Sequence, residues 1–251
     1  MPGKMPFTNR DFYFAPELSE EAVSVTLSGD EYRHLARAAR HRAGDVVGLT
    51  NGTGLVAAAR VESIGRDRAV LLVEELFPGY GEPAVQLTLA VGLIVPSRFE
   101  WLVEKAVEVG VTRIVPLVTQ WSERRRGVRL ERLRRIAVAA TKQCQRAVVP
   151  EVAEPVGLPE LLETVDQFDL TVLAEAESET SAAATLRRTA QRTEGKRSVL
   201  ALVGPEGGFS AQERQLAAGA GAVEANLGPR RLRTETAALH LSILLLNIPT
   251  R

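Results

Sequence analysis

The spacing of apolar residues changes character about a third of the way along the chain. Up to Phe77 they come in short alternating runs. "AVSVTL" alternates, and "DVVGLTNGTGLVAAARVESIG" holds two apolar stretches around Asn51-Gly52, a strong hairpin signal. "RAVLLVEEL" adds another strand, and "SGDEYRHLARAAR" reads as one short helix opened by Ser28 or Asp30. Several short strands with one helix predict a small β-barrel. The Gly- and Pro-rich stretch "FPGYGEPA", Phe77 to Ala84, marks a domain boundary and gives domains of 1–78 and 84–251.

Beyond the boundary the rhythm becomes that of strands alternating with helices. "VQLTLAVGLIV" is nearly all apolar, as a strand buried on both faces of a parallel sheet must be. "SRFEWLVEKAVEVG" follows as a helix. Ser97 and Glu100 have the spacing of a capping box, and Gly110 stands at the natural stop. "TRIVPLVT", "FDLTVLAEA", "SVLALVG" and "VEANLG" read as further strands. "LERLRRIAVAATKQCQRA", "SETSAAATLRRTAQRT", a segment opened by Ser210 with Glu213 three residues on, and "TETAALHLSILLLN" read as helices. The alternation predicts an α/β fold with a mostly parallel sheet.

Composition narrows the function classes. The chain has 251 residues, of which 45% are hydrophobic, so a substantial core is available. Aromatics are only 5%, which leaves that core to Val, Leu, Ile and Ala. Lys plus Arg equals Asp plus Glu at 31 each, so any attraction to nucleic acid has to come from local clusters. A single cysteine, Cys144, excludes an internal disulfide framework and a cysteine-rich zinc site, and three histidines do not suggest a metal centre. No apolar run approaches the ~20 residues of a membrane span, and "MPGKMPFTNRDFYF" lacks the apolar core of a signal peptide. The expectation is a cytoplasmic protein with no membrane and no metal.

Two loops sit at carboxyl ends of predicted strands, where ligands bind in open α/β sheets. The first lies in "LVGPEGGFSAQE", Leu202 to Glu213. Its glycines permit close backbone approach, and the helix after it offers a partial positive end. It has neither the Lys-Ser/Thr of a Walker loop nor the Gly-x-Gly-x-x-Gly of a dinucleotide loop, and Glu206 would repel a polyphosphate. The loop suits a ligand that is neutral or cationic at the carboxylate, and S-adenosylmethionine meets that description. On spacing alone, Gly204, Gly207 and Gly208 equally suit a plain strand-to-helix turn, which is the simpler reading. The second loop, "LGPRRLRTETAAL", sets Arg230, Arg231 and Arg233 before an apolar helix that Thr234 or Thr236 can cap, with Glu235 in its first turn. The guanidiniums either pair with Glu206 or Glu235 as solvated loop charges or face RNA or a substrate base.

Together these loops resemble the SPOUT-class methyltransferase family of ribosomal RNA small subunit methyltransferase E. Three more segments carry the likeness. "EKAVEVGVTRIVPL" supplies Lys105, Glu108 and Gly110; "ATKQCQRAVVPEV" supplies Gln143, Arg146 and Pro150; "HLARAARHRAGD" supplies His34, Arg37, Arg40 and Gly44. The likeness spans both domains in order. Ala38, Ala39 and Gln145 depart from the residues more usual in the family.

The resemblance implies an N-terminal PUA-like β-barrel and a C-terminal SPOUT-type domain with a trefoil knot at about 199–247. It implies a homodimer that transfers the methyl of S-adenosylmethionine to N3 of a uridine in 16S rRNA of the small ribosomal subunit. Cofactor contacts would come from Gly204, Pro205, Glu206 and Gly207 in the first loop. Leu227, Gly228, Leu232, Arg233 and Thr234 would serve in the second, with Leu173, Ala174 and Glu175 at the end of a neighbouring strand. Arg124 and Arg233 would stabilise charge on the base, with Glu206 or Glu235 taking the N3 proton. Arg10, Arg37, Arg40, Arg124, Arg125, Arg126 and Arg146 would meet RNA, while Arg132, Arg134 and Arg135 read as a solvated helix face. Lys105 and Glu108 would pair on their helix, and Cys144 would act as a small buried hydrophobe. The alternatives are a SPOUT enzyme acting on another RNA, or a non-catalytic RNA-binding assembly factor.

Overall fold

The computed structural model describes residues 11–122, 128–181 and 197–247. Contacts divide the chain into two compact units, one running to Glu82 and including Val138–Val149, the other made of Pro83–Ala137 and the chain from Pro150 onward. The expected second domain is therefore interrupted: Val138–Val149 packs with the first unit.

The first unit contains strands β1 (Phe12–Phe14), β2 (Ser24–Ser28), β3 (Val46–Thr50), β4 (Leu55–Ile64) and β5 (Arg68–Pro78). Helix α1 (Gly29–Arg33) runs on as a π-helical turn over His34–Ala38. The five strands pair in the order β1-β3-β4-β5-β2, with β1 parallel to β3 and the other ladders antiparallel. Among the described residues this is an open path with β1 and β2 at its ends, where the chain pattern predicts a closed barrel. Two register shifts in the β4–β5 ladder bend the sheet, as bulges do. Its concave face holds Tyr13, Leu27, Leu49 and Leu71 against Tyr32 and Leu35 of the helical segment. The Asn51 turn forms as its sequence predicts: the Asn51 side-chain oxygen accepts from the backbone N–H of Thr53 and Leu55, and its amide donates to Leu18 O.

Arg146 belongs to this unit and corrects an expectation. Its side chain is only 3% exposed and is held by Glu82, with Nη2–Oε2 at 2.6 Å and Nε–Oε1 at 3.2 Å. Glu82 also accepts from Val148 N at 2.9 Å. A guanidinium engaged in this way fastens the returning segment to the domain boundary and is not presented to RNA.

The second unit is built on a parallel sheet. Its strands are β6 (Val85–Gly92), β7 (Arg113–Val118), β8 (Glu151–Val152), β9 (Val156–Gly157), β10 (Leu170–Ala174), β11 (Arg197–Val203) and β12 (Val223–Ala225). The order is β12-β10-β11-β6-β7-β8, with β9 also pairing to β7. Its helices are α2 (Pro96–Val109), α4 (Leu158–Leu162), α5 (Ala211–Gly219) and α6 (Thr234–Leu246), and α3 (Leu130–Cys144) crosses the division between the units. One sheet face buries Ala90, Leu117, Leu173, Leu200 and Leu202 beneath Leu158 and Leu161 of α4 and Ala217 of α5. The alternate residues Leu89, Val91, Val199 and Ala201 point the other way, where α6 packs on β6, β11 and α2. Strands covered on both faces explain the near-continuous apolar runs.

The helix ends partly correct the sequence reading. Gly110 closes α2 in the left-handed conformation, at φ 109°. Ser97 does not cap α2: Pro96 occupies the first turn, Val95 takes the cap position, and no side chain caps it. Glu100 instead receives Arg132, with Nη2–Oε2 at 2.8 Å, which holds its carboxyl below the usual range. Neither Thr234 nor Thr236 caps α6, whose cap residue is Arg233 with no side-chain bond. The predicted strand "VEANLG" is regular only over Val223–Ala225, with Asn226 in an isolated bridge to Ser181. Cys144 is half-buried rather than a core residue. Most of the predicted helix in "SETSAAATLRRTAQRT" lies outside the described residues. No described helix is long and apolar enough to cross a membrane.

Candidate functional site

The strongest constraint on the site is local and lies between β11 and α5. After Val203 the chain turns through Gly204 to Gly208, closed by Gly208 N donating to Pro205 O at 2.9 Å, with Gly208 at φ +71°. A β-carbon on Gly204 would meet the backbone of Gly208 at 2.8 Å, so the two ends of the turn touch. Gly92, at the end of β6, lets Pro205 lie on it: a β-carbon there would sit 2.4 Å from the proline ring. The turn then enters α5 through the predicted capping box, in which Glu213 N donates to Ser210 Oγ and Ser210 N to Glu213 Oε2.

A second loop leaves β12, which is next to β10, itself paired to β11. Asn226 organises it. Its side-chain oxygen accepts from Gly228 N at 2.6 Å, while its amide donates to Ala176 O at 2.6 Å and Ser178 O at 3.2 Å. Gly228 sits at φ +109°, a conformation that L side chains rarely adopt. A third loop leaves β10 at Ala174. Glu175 N donates to Ala225 O at 3.0 Å, which draws the second and third loops together.

The three loops enclose a cavity of about 380 Å³ at the carboxyl ends of β10, β11 and β12. Ala174, Glu175 and Ala176 form one wall, Val203 to Glu206 with Gly208 another, and Leu227, Gly228, Arg230 to Thr234 and Ala237 the rest. That volume suits a small organic ligand. Most of the predicted cofactor contacts are thus brought together. Leu173 is fully buried in the sheet core and does not reach the cavity. Gly207 also lies off its lining and packs on Trp121, whose Cβ would be 2.8 Å from a Gly207 β-carbon.

Charge around the cavity is asymmetric. Glu206 is paired with Arg98 at 3.3 Å, both half-exposed. Glu175 lies 3.6 Å from Arg214, which also engages Glu224 at 3.0 Å and Glu177 at 3.8 Å. Burial alone would lower the Arg214 pKa, but these three carboxylates outweigh it and raise it. Arg231 and Arg233 are exposed, line the cavity with Arg230, and pair with no carboxylate among the described residues. The cavity can therefore accept an anionic group on the second-loop side. It also offers backbone polar groups beside a carboxylate that is already neutralised. Among the described residues no group of His, Cys, Asp or Glu could hold a metal ion.

The remaining predicted residues fall in several places. Glu235 is buried in the first turn of α6, outside the cavity lining, with Oε2 lacking a hydrogen-bond partner among the described residues. Arg37 and Arg40 are exposed on the first unit, and Arg40 adopts φ 59°. Arg132 and Arg134 are exposed but pair with Glu100 and Glu131. Lys105 pairs with Glu104 at 2.8 Å and, as expected, with Glu108 at 2.7 Å, which together push its ammonium up to about 12. Arg10, Arg124, Arg125 and Arg126 lie outside the described residues. Sequence reading missed Gly92, Asn226, Arg98 and Arg214. Gly92 had a signal, a glycine inside an otherwise apolar strand; so did Asn226, an Asx-turn former at a strand end.

Comparison with known proteins gives this geometry a context. Residues 81–246 match the model of an RNA methyltransferase domain, and residues 27–74 match an RNA methyltransferase PUA domain. The chain is 30% identical over 230 residues to ribosomal RNA small subunit methyltransferase E of Bacillus subtilis (strain 168), covering 88% of this chain and 89% of the relative. The corresponding protein of Rickettsia conorii is also 30% identical over 230 residues, with coverages of 90% and 91%. A crystal structure of ribosomal RNA small subunit methyltransferase E from Neisseria gonorrhoeae, bound to S-adenosyl methionine, superposes with a TM-score of 0.82 at 28% identity. That match covers 92% of this chain and 94% of the other. With a cavity at the carboxyl ends of a parallel sheet and relatives matched along nearly their whole length, the chain belongs to the ribosomal RNA small subunit methyltransferase E family.

Proposed function

We propose that this protein binds S-adenosylmethionine in the three-loop cavity and methylates N3 of a uridine in 16S rRNA of the small ribosomal subunit. The observation that carries the reading is the cavity itself. Family membership gives the chemistry, and a preformed cradle of suitable size lies at the sheet end where such folds bind ligands. The residues fit the cofactor. Gly204, in contact with the Gly208 backbone, and Gly228, at φ +109°, hold two cradle loops in conformations that side chains would disturb, and Glu206 and Glu175 face the cavity with arginines 3.3 and 3.6 Å away.

When bound, S-adenosylmethionine supplies an electrophilic methyl group. The protein's own part is to hold the uracil, take its proton and stabilise the charge that remains. Uracil N3 becomes nucleophilic only once its N–H bond breaks. Glu206, on the cavity wall, accepts that proton at its carboxylate. Arg233, exposed on the second-loop wall and without a carboxylate partner among the described residues, stabilises the negative charge spread over the uracil oxygens. Glu235 is buried and outside the lining, so Glu206 is favoured as the base. Positioning of base and donor in one enclosed space supplies much of the remaining acceleration.

The first unit, with Arg37 and Arg40 exposed, is the RNA-docking element in this reading. The threaded trefoil knot, the homodimer and the cytoplasmic setting belong to the same reading, the knot being an exception to ordinary chain connectivity. The test is genetic and chemical. In cells lacking this gene, nucleoside mass spectrometry of 16S rRNA should show no N3-methyluridine, and the wild-type gene should restore it. Restoration of a different methylated nucleoside, or of one in another RNA, would replace the substrate. No change in any nucleoside would favour a non-catalytic assembly role.

A further inference from the structure

In the second unit Phe99 and Phe209 are buried, while two indoles are exposed, Trp101 at 45% on α2 and Trp121 at 55%. An indole left in water on a floppy loop would need no explanation. Trp121 is fixed. The turn carrying it is closed by Ser122 N donating to Thr119 O at 3.2 Å and by Thr119 N donating to Ser122 Oγ at 2.9 Å. Ser122 Oγ in turn donates to Leu117 O at 3.1 Å. The next anchor reaches the cofactor cradle itself, because Gln120 N donates at 2.8 Å to Glu213 Oε1, the carboxylate that also completes the α5 capping box. Finally, Trp121 packs against Gly207, where an added β-carbon would come within 2.8 Å of Trp121 Cβ and 3.1 Å of Cγ. Gly207 lies between Glu206 and Gly208, which both line the cavity.

From this arrangement we infer that Trp121 is a stacking platform for a nucleobase of the RNA substrate, set beside the methyl-transfer cavity. The inference rests on the proposed function for its ligand and on the turn geometry for its place. An exposed indole on an anchored turn, next to a loop of the cavity whose arginines pair with no carboxylate among the described residues, offers the two features that single-stranded RNA recognition uses, an aromatic face for a base and cations for its phosphates. Such stacking is tolerant of sequence and adds affinity without reading base edges. Trp121 is therefore a substrate-positioning residue. It acts on RNA and leaves cofactor binding alone.

The chain has two tryptophans, so Trp101→Phe leaves Trp121 as the only one and makes its fluorescence a direct probe. In that full-length variant, oligouridylate should quench Trp121 emission. An abasic ribose-phosphate chain of the same length and charge should not. Equal quenching by both, or by neither, would overturn the platform. So would an emission maximum that shifts with protein concentration before RNA is added, because a second copy would then cover the indole. In methyl transfer to small subunits, Trp121→Ala should raise the RNA KM by about tenfold. The Kd for S-adenosylmethionine should stay unchanged, and Trp121→Phe should recover most of the loss. A parallel loss of cofactor affinity in Trp121→Ala would mark a structural prop for Gly207 and refute the platform. Should the Trp101→Phe protein methylate no RNA at all, the proposed function fails, while the quenching comparison still decides the role of Trp121.

Discussion

At the scale of single residues, the cradle depends on atoms that are missing. Gly204 matters because any β-carbon there would press into the Gly208 backbone at 2.8 Å, and backbone cannot swing aside. Overpacking of this kind costs about 1–3 kcal/mol. Gly204→Ala is expected to weaken S-adenosylmethionine binding by about tenfold or more in calorimetric titration. Gly219→Ala, with nothing within 4 Å of its β-carbon, should bind normally. Tyr13 presents the reverse case. Its hydroxyl is buried without a hydrogen-bond partner among the described residues, and burial, with Asp11 and Glu31 nearby, pushes its pKa above the ordinary value of 10.0. A raised pKa in the folded state means this contribution to stability is intact below the unfolded pKa and lost as pH climbs toward the folded one. Thermal melts should therefore fall above about pH 10. Tyr13→Phe should be neutral or stabilising at neutral pH and should blunt that alkaline loss. A melt profile identical to wild type across pH 9 to 11 would contradict the assignment.

At the scale of elements, what was legible in the chain was what neighbours in sequence decide. The capping box at Ser210 and Glu213 forms because both partners lie within one turn, and Gly110 stops α2 for an equally local reason. Ser97 and Glu100 had the same spacing and failed. Pro96 fixes the first turn one residue early, and Arg132, far along the chain, takes the Glu100 carboxylate. Arg146 was misread for the same cause: its partner Glu82 is 64 positions away, so a buried structural cation looked like a surface one. The arginines that neutralise Glu206 and Glu175 are likewise brought in by the fold. Breaking a buried pair leaves a charge without its counterion and costs about 3–5 kcal/mol. Arg146→Ala should lower stability by that order in denaturant titration, while Arg37→Ala, on an exposed residue, should leave stability unchanged. Equal stabilities for the two variants would return Arg146 to the surface.

At the scale of the whole molecule, each unit has its own core, and the apparent two-domain chain hides an exchange. The strand-to-helix alternation after the boundary correctly predicts the parallel sheet, but the stretch Val138–Val149 folds with the first unit. No periodicity could have revealed this, since the second half of α3 reads as the continuation of a single amphipathic helix. The cavity is a product of the same scale. Its three loops come from β10, β11 and β12, which are adjacent in the sheet although the last is separated from the first by some fifty residues of chain. In the proposed function this cavity performs methyl transfer to ribosomal RNA. The most direct measurement incubates the purified protein with methyl-labelled S-adenosylmethionine and small subunits from cells lacking the gene. Wild-type protein should place label in 16S rRNA, and Gly204→Ala and Arg233→Ala should each lose most of it while remaining folded by circular dichroism. Undiminished transfer by both variants would put the chemistry somewhere else, and no transfer by the wild type to subunits or to naked rRNA would contradict the account.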